Sequence, residues 1–243
     1  MVSFKHLRKI ALAAAPLFAC TAAFANMTIY PMAVGLDAKG EGSVRIFSKT
    51  NDVQFVKTTI KKINDPGTPQ EKEVEVSAGT DTGLVIMPPK FAVPGGASKT
   101  VRFVAMEPVN KEAMYRVLFE GVPSLDDSPK NQKGHTVPSA DNVNLVWGIL
   151  VTVPPVNPII ELALSADNSS LKNHGTQRVK ITDIGLCRAE TAEKACTWKK
   201  ENRNIFPDKT YSLPASAGYE KVIIKYYDWI KKSNSQIALP LNG

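Results

Sequence analysis

The stretch Tyr115-Arg116-Val117-Leu118-Phe119-Glu120 decides the fold class. Tyr115, Val117 and Phe119 make one side wholly apolar, whereas Arg116 and Glu120 fall on the other side with Met114 and Leu118. Side chains of a β-strand point alternately to opposite faces, so this two-residue period sets one face against a core and the other toward solvent. Outward from it the chain keeps the same texture: short β-rich segments separated by Pro, Gly, Asn and Asp, with no sustained helical period. In the first half the expected strands are 27–36, 43–48, 53–63, 84–87, 99–106, 113–122 and 142–153. Asn64-Asp65-Pro66-Gly67 after the third and Pro94-Gly95-Gly96 before the fifth supply turn chemistry where a sandwich needs it. Seven short strands in this arrangement predict an immunoglobulin-like β-sandwich.

Residues 123–141 carry Asp126-Asp127, Pro129, Lys130, Gly134 and Pro138, and have too little apolar content to pack, so they read as a loop between two strands. Pro154-Pro155 and Pro158 then form a stiff junction. Beyond it, expected strands at 159–164, 177–183, 184–187, 221–227 and 236–239 predict a second, smaller β-sandwich. The expectation is therefore an all-β chain with an N-terminal domain at 26–153 and a C-terminal domain at 154–243.

The first 25 residues read as an export signal. Lys5, Arg8 and Lys9 precede an apolar run at 10–24, and Ala23-Phe24-Ala25 closes it, which predicts cleavage before Asn26. Leu17-Phe18-Ala19-Cys20 offers a rival site resembling one for lipoprotein acylation, but bulky Phe18 fits it poorly. Cleavage takes 25 of 243 residues and leaves 218, a length suited to two domains of about 100 residues. Three basic and no acidic residues leave with the signal, so the net charge falls from +7 to +4, too mild to suggest nucleic acid.

Two cysteines then remain, Cys187 and Cys196, an even pair bound for an oxidising compartment. A disulfide is expected there, contributing roughly 2–3 kcal/mol through loop closure. His135 and His174 lie in polar loop and turn sequence, at spacings that do not join the cysteines in a zinc motif. No nucleophile with a base, carboxylate pair or metal cluster stands out, so neither an enzyme nor a cofactor is expected.

One segment departs from alternation. In Val143-Asn144-Leu145-Val146-Trp147-Gly148-Ile149-Leu150-Val151 the residues from Leu145 onward are apolar on both faces except at Gly148. A central strand covered on both faces, by a crowded corner or by the second domain, reads this way. So does an edge strand whose apolar side chains and backbone groups await a partner. The polar loop before it and the Pro-rich junction after it suit the second reading.

With these segments in place, the sequence resembles the periplasmic chaperones of the chaperone–usher pathway, in particular the alternate or alpha-fimbrial class. The resemblance rests on Ile29-Tyr30-Pro31, Val44-Arg45-Ile46-Phe47-Ser48-Lys49, Asn64-Asp65-Pro66-Gly67-Thr68 and Gly83-Leu84-Val85. It continues through Pro94-Gly95-Gly96-Ala97-Ser98-Lys99 with Arg102, Tyr115-Arg116-Val117-Leu118-Phe119-Glu120, and the paired cysteines.

The resemblance implies a boomerang of two immunoglobulin-like domains that caps fimbrial major and minor subunits in the periplasm by donor-strand complementation and delivers them to an outer-membrane usher. The donor would be 142–153, with Val143, Leu145, Trp147 and Ile149 as the inserted side chains, because the even-numbered set includes Asn144 and Gly148. The same edge also offers the free protein a surface for self-association. The better-known members anchor the pilin's terminal carboxylate with an Arg in the first strand and a Lys in the seventh. This sequence has no basic residue at 26–38 or at 142–153, so those roles do not carry over. Arg116, beside the expected donor strand, is the substitute, since a guanidinium fork matches a carboxylate; the competing reading is a surface Arg paired with Glu120. The alternative to a chaperone is an extracellular structural or adhesive module of the same fold.

Overall fold

The computed structural model describes residues 26–76, 83–125, 145–188 and 196–241. Among these residues, ten strands of the N-terminal half form two sheets. These are β1 (Met27–Tyr30), β2 (Ala33–Gly35), β3 (Glu41–Ser48), β4 (Gln54–Asn64), β5 (Lys72–Glu75), β6 (Leu84–Met87), β7 (Lys90–Val93), β8 (Ser98–Ala105), β9 (Ala113–Val122) and β10 (Val146–Val153). One sheet runs β1-β3-β8-β6; the other runs β2-β10-β9-β4-β5, with β7 also paired to β4. The alternation of β9 works as its sequence implies: Tyr115, Val117 and Phe119 are buried against Val44, Ile46, Val101 and Phe103 from the facing sheet.

The first expected strand is broken in two. β1 pairs antiparallel with β3 in one sheet, whereas β2 pairs parallel with β10 in the other. Pro31 stands between them, and a residue without a backbone N–H cannot continue a ladder, so the chain changes sheets there.

The C-terminal half repeats the two-layer plan around a separate core of Leu171, Val179, Ile181, Ile184, Val222 and Ile224. β11 (Leu162–Leu164), β12 (Ser170–Asn173) and β15 (Thr210–Ser212) form one sheet. β14 (Cys196–Ile205), β13 (Val179–Cys187), β16 (Lys221–Asp228) and β17 (Ser233–Pro240), in that order, form the other. The two strands expected at 177–183 and 184–187 are one strand, β13, with a register irregularity between Ile181 and Asp183. Cys187 and Cys196 are disulfide-bonded and lie directly opposite each other at the ends of β13 and β14.

Candidate functional site

β10 is held unequally along its two edges. On one side it pairs with β9 from Val146 to Val153; on the other it pairs with β2 only at Leu150, Val151 and Thr152. Among the described residues the outer edge from Val146 to Ile149 therefore has no ladder partner. The inward face changes along the same direction. Val153, Val151 and Ile149 are buried between the two sheets and Trp147 packs against that core, but Leu145 is 46% exposed. The apolar face of the strand thus continues past the end of the sandwich that covers it. Val146, on the opposite face, is 49% exposed.

Of the four side chains expected to enter a partner, Leu145 and Trp147 stand at this open end. Ile149 is 0% exposed and is committed to its own core, because the facing sheet reaches that far. Val143 lies outside the described residues. The Trp147 indole Nε1 is buried and has no hydrogen-bond partner among the described residues.

Arg116 does stand beside β10, opposite Leu150 in register. Its side chain lies on the outer face of the sheet, where its stem crosses Gly148: a Cβ on Gly148 would be 3.2 Å from Arg116 Cδ. Its guanidinium donates to the Glu73 carboxylate of β5, not to the Glu120 of the competing reading, and both members of the pair are partly exposed. The neighbouring inward phenol, Tyr115, is pushed above its ordinary pKa by burial.

A second cluster, built from residues distant in sequence, closes the root of β10. Glu112 has a fully buried carboxylate that pairs with the Arg178 guanidinium and accepts the Arg178 backbone N–H at 2.9 Å and Trp229 Nε1–H at 3.0 Å. Arg178 also donates to Thr152 Oγ1 at 3.3 Å, and its guanidinium carbon lies 4.6 Å from the Trp229 ring centroid. Sequence reasoning missed this cluster. The one signal was Trp229 itself, a large aromatic within a turn sequence. Further out, Lys111 pairs with Asp208 at 2.6 Å and Lys209 with Asp65 at 2.5 Å. Among the described residues no group of His, Cys, Asp and Glu is arranged to hold a metal.

The profile of the pili and flagellar-assembly chaperones, PapD N-terminal domain, matches residues 26–148. A CFA/I fimbrial protein of Escherichia coli is 32% identical over 228 residues, 92% of this chain and 94% of the relative. This chain belongs to the pilus-assembly chaperone family. Within that family it is also 32% identical to a CS1 fimbrial protein of Escherichia coli over 210 residues, 84% of this chain and 87% of the relative. The crystal structure of the class 5 fimbriae chaperone CfaA superposes with a TM-score of 0.77 at 29% identity, covering 90% of this chain and 100% of that one. A chain from a chaperone–tip adhesin complex of CFA/I fimbriae biogenesis gives a TM-score of 0.73 at 29% identity, covering 89% of this chain and 99% of that one. The family profile covers the N-terminal sandwich, and the similarity to these relatives extends over both.

Proposed function

We propose that this protein is a periplasmic chaperone that captures fimbrial subunits by donor-strand complementation and passes them to an outer-membrane usher. In this reading residues 1–25 are removed on export, 26–153 bind the client pilin and 154–243 form the second domain. The observation that carries it is the end of β10, where an apolar face outruns its own sandwich beside an edge with no ladder partner. Backbone groups on that edge supply hydrogen bonds to a pilin lacking a strand, and Leu145 and Trp147 fill its groove, while Ile149 anchors the donor from within. Each well-buried apolar side chain contributes roughly 1.5–3 kcal/mol before ordering costs. Arg116 is the proposed carboxylate anchor, and Glu73 holds its guanidinium until a pilin arrives. A free-standing adhesive module is not favoured, since the chaperone relatives match along nearly the whole chain.

The test is paired: thermal unfolding of each variant alone, and its ability to keep a co-expressed pilin soluble. Leu145→Glu is expected to stay folded and lose capture, because an ionised group entering an apolar groove unpaired costs several kcal/mol. Trp147→Asp is expected to lose capture with some loss of stability, since the ring already touches the core. Normal protection by both variants would sink the donor assignment. Unfolding of both would favour a purely structural strand.

A further inference from the structure

The donor strand's last rung is touched from the other domain. Thr152 of β10 and Gly35 of β2 are register partners, and each meets a C-terminal-domain side chain. Trp229 lies so close over Gly35 that a Cβ there would stand 2.4 Å from Trp229 Cζ3. Arg178 reaches the hydroxyl of Thr152, which is buried although polar. Glu112 binds both Trp229 and Arg178 and so fixes the two side chains relative to each other. β2 is three residues long and gives that edge of β10 three register pairs, against eight on the β9 side.

We infer that Trp229 and Arg178 are positioning residues: they hold the root of β10 against β2 so that its open end projects in one register toward the pilin. The inference rests on the donor-strand reading above. It gives the C-terminal domain a part in capture although that domain supplies no donor. It also separates two roles of the domain junction, because the Lys111–Asp208 and Lys209–Asp65 pairs join the halves without touching β2 or β10.

Hydrogen–deuterium exchange of the full chain, without any pilin, reads the positioning directly. Trp229→Ala is expected to speed exchange in peptides covering β10 about tenfold or more, with less than about twofold change in β4. Gly35→Ala, which strikes the same ring from the other side, is expected to do likewise, and to add less than about twofold in a Trp229→Ala background, where the ring is gone. Lys209→Ala is expected to leave β10 unchanged. Should Trp229→Ala fail to fold, Trp229→Phe and Arg178→Lys carry the same comparison, with Trp229→Phe milder because its ring still covers Gly35.

Unchanged β10 exchange in the variants overturns the inference, as does a full additional effect of Gly35→Ala once Trp229 is removed. The second readout uses a pilin that the unmodified chain keeps soluble: Trp229→Ala is expected to retain several-fold less of it. Normal capture despite faster exchange would also overturn the positioning role. Failure of the donor-strand reading would show separately, as normal capture by Leu145→Glu.

Discussion

Gly148 interrupts an apolar run because the stem of Arg116 lies across it, so a gap in one strand is explained by a charge on its neighbour. That charge is shared with Glu73, so a pilin carboxylate anchored there as proposed would have to compete for it. Partly exposed ion pairs contribute roughly 0.2–1 kcal/mol, so Glu73→Gln is expected to tighten capture by up to about fivefold. Arg116→Ala is expected to weaken it, with little effect on folding. Competition between variant and unmodified chaperone for one pilin measures both. Weaker capture by Glu73→Gln would mean that Glu73 orients Arg116 instead of competing for it. Trp147 carries a different tension, a buried N–H without an acceptor among the described residues. An unsatisfied buried donor is costly, so Trp147→Phe is expected to leave the urea unfolding midpoint unchanged or slightly raised.

In the C-terminal sandwich a covalent link ties two strands of one sheet and a polar link ties the two sheets together. The Cys187–Cys196 bond closes the β13–β14 pair, and replacing both with Ser is expected to cost roughly 2–3 kcal/mol in thermal unfolding while sparing capture at permissive temperature. Tyr211 of β15 donates to Glu201 of β14 at 2.5 Å, and burial, then that bond, pushes its phenol up to about 12. A raised folded pKa means this contribution is fully present below the ordinary value of 10 and lost as pH climbs toward 12. The unmodified protein should therefore lose stability more steeply than Tyr211→Phe between those limits, as read by urea midpoints. β9 and β10 were legible because burial wrote alternation or double-sided apolarity into them. β14 was not, since Lys199, Lys200, Asn202 and Arg203 leave a mostly exposed edge strand without a clear apolar face. β5, Lys-Glu-Val-Glu and exposed throughout, was missed for the same reason. The Glu112–Arg178–Trp229 cluster left no signal beyond the turn aromatic Trp229, because its members meet only after both sandwiches have formed.

Across the whole molecule the two halves are joined by unequal contacts. Lys111–Asp208 is exposed and Lys209–Asp65 is partly so, and Lys111→Ala or Lys209→Ala should change unfolding free energy by less than about 1 kcal/mol. Glu112→Ala leaves a largely buried guanidinium unpaired and should cost about 3–5 kcal/mol by chemical denaturation. The pairing of β2 with β10 has a temporal meaning as well. Ala33 and Leu150 are 117 residues apart, a separation that adds little at equilibrium because closure entropy grows only logarithmically, but that makes the contact slow to find. As a chain emerges from its N-terminus, β2 waits uncovered through the appearance of seven further strands. On the proposed reading, a newly made chain therefore gains a firmly rooted donor only once Val153 is out, and until then it is itself an incomplete sandwich, in the same condition as the clients it is proposed to protect.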